Sequence, residues 1–241
     1  ENGNKMLVLV PGARLDTDSQ FGHNLAPKMA IRYDPNKKLK LRLSYGMGFR
    51  APVLKEQLLV FENPNERYIV EGNPDLKPES SHSVNGGAEY RPAKWIWLSI
   101  NVFHNDIEDL IFYESVESDD TAISRYRHIN LKSAYTQGFE LGTRTYLSRN
   151  ASAEIGYTLT HTRDRTLSRP LEGRALHRGH FDLRYWQKKS GLNAMVRGSI
   201  VGTRPFYIQT QVDAPDETVE ADPYATIDLR LAKRFGKRKR D

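Results

Sequence analysis

The sequence predicts an all-β chain: an antiparallel transmembrane β-barrel, present here as about ten strands. Three observations predict it. Apolar residues recur with period two and not with period 3.6. The connectors alternate between short and long with a consistent parity, as they do in bacterial outer-membrane barrels, where the short side is periplasmic. The strands are also long, where a globular strand averages about five or six residues and a tilted membrane strand needs about 9–11.

The strands are expected at about 6–16, 25–34, 39–48, 81–90, 95–112, 133–147, 151–163, 179–187, 192–203 and 224–235. In the second, Met29, Ile31 and Tyr33 alternate with Lys28, Ala30 and Arg32. The third is apolar at Leu39, Leu41, Leu43, Tyr45 and Met47, with polar residues or glycine between. Ile96, Leu98, Ile100 and Val102 form one face of the fifth. Phe139, Leu141, Thr143, Thr145 and Leu147 do so in the sixth, and Ala153, Ile155, Tyr157 and Leu159 in the seventh. Phe181, Leu183 and Tyr185 oppose Asp182, Arg184 and Trp186, and Ile227, Leu229 and Leu231 oppose Asp228, Arg230 and Ala232. Short turns are expected at about 34–38, 91–94, 148–150 and 188–191, and long loops at about 17–24, 49–80, 113–132, 164–178 and 204–223.

The two faces differ in chemistry. One is Leu, Ile, Val, Ala and aromatic, as a lipid-facing surface requires. The other holds Arg14, Lys28, Arg32, Arg42, Glu89, Glu140, Arg144, Glu154, Asp182, Arg184, Arg197, Asp228 and Arg230. A dry sandwich core does not hold such a set, because each unpaired charge would cost several kcal/mol; a wet or plugged lumen does. Tyr33, Tyr45, Tyr90, Trp95, Tyr185 and Phe206 fall near strand ends, as an interfacial girdle does. Leu41, Leu43, Leu98, Ile100, Leu141, Ile155, Leu183 and Leu229 are expected to face lipid, and Arg42, Arg144, Glu154, Arg184 and Arg230 the lumen.

Composition excludes several classes. No run approaches the roughly 18 apolar residues of a membrane helix. Aromatics make up 10% of the 241 residues and recur along the chain, which argues against disorder. With no cysteine there is no disulfide scaffold, thiolate metal site or Cys nucleophile. The net charge of +6 is concentrated in the run from Lys233 to Arg240, which lacks interleaved aromatics and reads as a charged turn, not a nucleic-acid patch. The seven histidines are scattered. His177, His180 and Asp182 can be drawn as a metal site, but they lack ligand spacing, so no metal site is expected. No nucleophile elbow or catalytic trio appears, so no catalytic residue is expected.

From residue 45 the sequence carries nameable boxes. Tyr45-Gly46-Met47-Gly48-Phe49-Arg50-Ala51-Pro52 is followed by Gly72-Asn73-Pro74-Asp75-Leu76-Lys77-Pro78-Glu79. Then come Phe103 to Ile111, Asn130 to Ala134, and Gly138-Phe139-Glu140. Together these resemble the C-terminal barrel half of TonB-dependent outer-membrane receptors, over essentially the whole chain. The resemblance implies that residues 1–241 are part of a larger barrel of about 22 strands, with the plug domain and the closing strands lying outside it. Residues 236–241 are expected to begin a periplasmic turn. Half a barrel by itself would expose a lipid face and two strand edges, so the isolated chain is expected to aggregate.

The resemblance implies an energised importer in the outer membrane of a Gram-negative bacterium. Its partners would be outer-membrane lipid, the receptor's own plug and, through that plug, the TonB energy-transducing complex; no nucleic-acid partner is implied. The solute would be a ferric siderophore or similar metal chelate, with haem or a cobalamin-type chelate as alternatives. For haem, the related subgroup places a histidine between the boxes, whereas residues 53 to 72 contain none and Tyr68 is the nearest candidate ligand. A different class, a barrel lipase or protease, would need a Ser, His and acidic trio at one spot. No cofactor is expected. Arg50, Tyr68, Arg125 and Tyr126 are the candidate ligand contacts, since cationic and phenolic groups suit anionic, aromatic chelates. Gly48, Phe49, Arg50, Ala51, Pro52, Gly72, Asn73, Pro74, Asp75 and Leu76 form the family boxes. Within them Phe49, Pro52, Asn73 and Pro74 are expected to shape the loop, not to touch ligand.

Overall fold

The structure, a computed structural model, describes residues 5–116, 123–187, 189–208 and 217–235. Ten strands follow one another in a single antiparallel path: β1 (Met6–Asp18), β2 (Gly22–Asn36), β3 (Leu39–Arg50), β6 (Glu79–Ala93), β7 (Ile96–Val116), β8 (Ser124–Ser148), β9 (Ala151–Asp164), β10 (His177–Gln187), β11 (Leu192–Val201) and β14 (Tyr224–Lys233). Between β3 and β6 lie a short helix, α1 (Leu54–Leu58), and the hairpin β4 (Val60–Asn63) and β5 (Tyr68–Glu71). Between β11 and β14 the strands β12 (Arg204–Ile208) and β13 (Glu217–Ala221) pair as a separate two-stranded sheet. Among the described residues no helix is long and apolar enough to cross a membrane.

The register explains why the apolar positions form a band and not scattered spots. One lateral row of directly opposed residues crosses all ten strands: Leu7, Tyr33, Leu41, Ala88, Ile100, Leu141, Tyr157, Gly179, Ile200 and Ala225. Leu7 sits at the short-turn end of β1, whereas Ala225 sits at the long-loop end of β14. The row therefore climbs the whole height of the sheet as it crosses it. That stagger is what tilted strands in a closing barrel require. The residues expected to face lipid all lie on this face and are exposed, from 38% at Leu98 to 77% at Leu229.

The opposite face is polar, and its charges are arranged in a row of their own. Trp97, Arg144, Glu154, Asp182, Arg197 and Asp228 are directly opposed from β7 to β14. Glu154 and Asp182 are like charges on facing positions, which would repel. Each turns to its own guanidinium: Arg144 reaches Glu154 at 2.8 Å and Arg197 reaches Asp182 at 3.0 Å. Arg42 pairs with Glu89 on the same face.

Several boundaries differ from expectation. The connection between β1 and β2 is a tight turn and not a loop over 17–24: the Asp18 carboxylate accepts the N–H groups of Gln20 and Phe21, and Gly22 takes a positive φ of 75°. The loop over 113–132 is largely strand, because β7 and β8 stay paired out to Val116 and Arg125. The loops over 49–80 and 204–223 contain the secondary structure named above, and β10 begins at His177. Phe206 belongs to β12 beside Gly173 and not to the girdle, and Tyr45 is exposed in the middle of β3, whereas Tyr90, Trp95 and Tyr185 are exposed near strand ends and Tyr33 is half-buried near the end of β2. The charged run beyond Phe235 and Lys188 of the last short turn lie outside the described residues.

The phase of the faces is testable at one pair of neighbours. In the membrane-embedded protein, Leu43→Arg is expected to destabilise by about 2–4 kcal/mol, as cations do at lipid-facing midplane positions, while Arg42→Leu on the lumen face costs less. Urea unfolding of the two variants in lipid checks the order.

Candidate ligand-binding site

At the long-loop end, the chain between β3 and β6 is folded down onto β7 and β8. It starts at Arg50, the last residue of β3, above the apolar band. Its guanidinium holds Glu79, the first residue of β6, through two bonds of 2.7 Å. It also holds Glu56 of α1, with both contacts at 3.1 Å. The Glu79 carboxylate does a second task. Beyond Glu108, β7 has lost β6 as a neighbour, and Glu79 accepts the Ile111 N–H at 2.8 Å in place of a ladder partner. Burial pushes the Glu79 carboxyl up, but the bonds from Arg50 and Ile111 prevail and hold it below the usual carboxylate range. Arg50 is raised, its bond to Glu79 outweighing burial.

The two family boxes meet inside this loop. Pro52 is buried and its carbonyl accepts from the buried Gln57 side chain at 3.1 Å. The Glu56 carboxylate accepts the Val53 N–H, fixing the start of α1. Gly72 passes so close to α1 that an added Cβ would lie 2.6 Å from the Gln57 carbonyl carbon and the Leu58 nitrogen. Only glycine fits there. Asn73 then donates to the His128 carbonyl at 2.9 Å, caps the Asp75 N–H at 3.0 Å, and gives its own N–H to Glu56 at 2.8 Å. Leu76 is 2% exposed, the anchor of the second box. Lys77 and Asn130 exchange backbone-to-side-chain bonds of 2.8 and 3.0 Å, and Asn130 also reaches the Asp109 carbonyl. Gly48 packs against Ser81, and the Phe49 carbonyl accepts from Arg14.

The far part of the loop becomes sheet. β5 runs parallel to the start of β8, with Tyr68 opposite Ser124, Ile69 opposite Arg125 and Val70 opposite Tyr126. Arg125 pairs with Glu71 at 3.1 Å, and His128 meets the Glu71 carbonyl. An aromatic group gathers there: Phe61 beside Tyr68 at 6.0 Å, and Tyr113 stacked on Phe112 and edge-on to Tyr126.

Of the four candidate contacts, Tyr68, Arg125 and Tyr126 are thus brought together on β5 and β8. Arg50 is elsewhere, in the clasp, with its charge engaged by two carboxylates. Arg125 is engaged too. Arg67 and Arg127 lie in the same region, both exposed, and neither has an ion pair among the described residues. Sequence reasoning passed over Glu56, Glu79 and Tyr113. Glu79 directly ends the second box, and Glu56 stands three residues after the N-cap position Val53, which is the signal for a carboxylate that caps. The drawn metal trio dissolves: His177 lies in the lipid-side register while His180 and Asp182 lie on the lumen face, and no group of three metal-binding side chains occurs among the described residues.

A ten-strand staggered sheet with one lipid face, one charged face and a folded loop at its long-loop end defines an outer-membrane barrel segment. Residues 4–240 match the family model for the TonB dependent receptor-like β-barrel, and the chain belongs to that family. This places it in the outer membrane of a Gram-negative bacterium. It is similar to the iron-regulated outer membrane virulence protein of Vibrio cholerae serotype O1, 26% identical over 90% of this chain and 34% of that protein. It is also similar to the hemoglobin-binding protein A of Haemophilus influenzae, 26% identical over 53% of this chain and 14% of that protein. Among solved structures, the siderophore receptor PirA from Acinetobacter baumannii superposes with a TM-score of 0.74 at 19% identity, covering 95% of this chain and 37% of that one. The chain spans about a third of the length of the first of these relatives.

The loop geometry makes a sharp expectation. Gly72→Ala forces a methyl group into α1 backbone and is expected to destabilise the loop by about 1–3 kcal/mol. Hydrogen exchange of residues 53–76 in the membrane-embedded receptor should speed up, while exchange in the spanning part of β3 stays unchanged.

Proposed function

We propose that residues 1–241 are part of the barrel of a receptor that imports a scarce solute, a ferric siderophore or similar metal chelate. A plug domain outside this chain would close the lumen and couple it to the TonB energy-transducing complex. Membership of the receptor family supports this reading, as do relatives named for iron regulation and a fold shared with a siderophore receptor. The observation that carries it is the ring pair Phe61–Tyr68 on the folded loop, set by the β5–β8 pairing beside the ring pair Tyr113–Tyr126 of β7 and β8, with exposed Arg67 on the loop and exposed Arg127 on β8. Phenol and phenyl faces stack on aromatic metal-chelating groups, and guanidinium groups pair with their anionic oxygens.

In this reading Arg50 positions the loop and does not touch the solute, while Tyr68 and Tyr126 touch it. A second reading, haem or a haem protein as cargo, is favoured only by the hemoglobin-binding relatives. The test uses the full-length receptor in iron-limited cells. Tyr68→Ala and Tyr126→Ala are each expected to weaken ferric-siderophore binding about 2- to 12-fold, the range of about 0.5–1.5 kcal/mol per aromatic contact. Unchanged binding in both variants, or a wild-type receptor that supports growth on haem and on no siderophore, would overturn the siderophore reading.

A further inference from the structure

The short-turn end of the lumen face carries a second group of rings and cations, at the opposite end of the lumen from the folded loop. One cavity there, of about 190 Å³, has Arg91, Lys94, Trp97, Arg144 and Tyr146 in its walls. Another, of about 360 Å³, has Arg184, Trp186, Met195 and Arg230. The register joins them. Tyr146, Ser152, Arg184, Met195 and Arg230 are directly opposed on β8, β9, β10, β11 and β14. Only the short Ser152 side chain therefore stands between the two cavities, and together they form one shelf along the wall. On the short-turn side the wall is periplasmic.

The charge of the shelf is not balanced. Its nearest carboxylates are engaged: Glu89 by Arg42, Glu154 by Arg144, and Asp182 by Arg197 at 3.0 Å. Arg91, Lys94 and Arg230 are exposed and make no ion pair among the described residues. Asp228 stands opposite Arg197, and setting it against one of these three still leaves a positive surplus. A wet wall needs charges, but it does not need indoles. Two of the chain's three tryptophans, Trp97 and Trp186, nevertheless stand here on the polar face, and not at the lipid interface where a girdle places them. Both are set in place. The Arg144 guanidinium lies 5.8 Å from the centre of the Trp97 ring. Asn150 clamps the Trp186 backbone from both sides, its carbonyl accepting the Trp186 N–H at 2.8 Å and its side chain donating to the Trp186 carbonyl at 2.7 Å.

We propose that this shelf is a second, exit-side site for the solute, where an anionic aromatic metal chelate is held as it leaves the lumen. The proposal rests on the reading that the receptor carries such a chelate. Trp97, Tyr146 and Trp186 stack on its rings, while Arg91, Lys94 and Arg230 pair with its anionic oxygens. The same two kinds of group meet at the folded loop, so one solute finds matching chemistry at both ends of its route. A favourable stop at the exit lowers the free energy of solute that has already crossed, which favours the forward step.

The experiment uses the full-length receptor in detergent, where both ends of the lumen meet solution. Equilibrium dialysis counts bound radioactive iron, supplied as the ferric complex of a synthetic tris-catecholate, which is anionic and aromatic. An uncharged ferric trihydroxamate without rings is the comparison. Two tris-catecholate complexes are expected per receptor, one at the loop and one at the shelf. Trp186→Ala combined with Arg230→Gln should weaken the shelf complex about tenfold and leave the loop complex unchanged. Trp186→Phe combined with Arg230→Lys keeps a ring and a charge and should restore it. Tyr68→Ala combined with Tyr126→Ala should weaken the other complex alone. A single bound complex that only the loop variants weaken would overturn the exit site and leave the proposed function standing. Indifference of both complexes to the shelf variants, or equal binding of the uncharged complex at the shelf, would overturn it as well. A receptor that binds neither complex at either end would overturn both readings.

Discussion

A strand crossing hydrocarbon has no water to satisfy its peptide groups, so each N–H and C=O must be paired within the sheet. The rest of this structure follows from that constraint. It requires strands longer than a soluble sheet uses, and it requires each to find its neighbour in sequence, since a short turn is the least costly way to place the next ladder partner. Stagger then follows from closure. The lateral row that starts at Leu7 and ends at Ala225 shows the ladder climbing through the height of the sheet. Side-chain chemistry is subordinate to this framework: the pleat assigns each residue to lipid or lumen, and composition on each face matches its solvent.

Where the ladder stops, side chains replace it. β7 and β8 continue together beyond the point where β6 and β9 have ended, so backbone groups of the projecting hairpin lose their outer partners. Glu79 takes up the Ile111 N–H, Asn73 the His128 carbonyl and Asn130 the Asp109 carbonyl, and β5 pairs with the first four residues of β8. The family boxes are therefore the means by which a loop of nearly thirty residues is held on the end of a sheet. Arg50 is central because one guanidinium joins the end of β3, the helix and the start of β6. It occupies the place where a free cation would otherwise invite an anionic ligand.

The alternation in Leu39 to Met47 and in Ile96 to Val102 made the spanning strands legible, and their ends fall within a few residues of the structure except at β8, which begins nine residues earlier, at Ser124. Three kinds of feature were not legible. The Asp18 turn looked like a long loop because its polar residues match loop composition, whereas an aspartate accepting two N–H groups makes a tight reversal. Strands β4 and β5 are four residues each and pair with a partner far along the chain, and periodicity over four residues carries no signal. The candidate site was half legible. Tyr68, Arg125 and Tyr126 do come together, but through a parallel pairing that no local pattern announces. The engagement of Arg50 and Arg125 by carboxylates is a matter of distance, which residue type alone does not give.

The same two-faced logic separates what a charge does at different depths. On the lumen face, charges are ordered into a row in which arginines screen the opposed carboxylates Glu154 and Asp182. Arg184 also approaches Asp182, at 3.7 Å, so that one carboxylate is shared by two guanidiniums. Such pairs are partly wet and add little stability individually, but they hold the side chains of the lumen wall in place. At the loop, Arg50 and Arg125 are held by carboxylates, while aromatic rings gather near exposed Arg67 and Arg127. On the outward face near the long-loop end they are clustered with histidine and tyrosine, as at Asp106, Arg165, His104 and Tyr135. Three polar systems on one sheet are kept apart by strand parity and height, and each therefore answers to a different solvent.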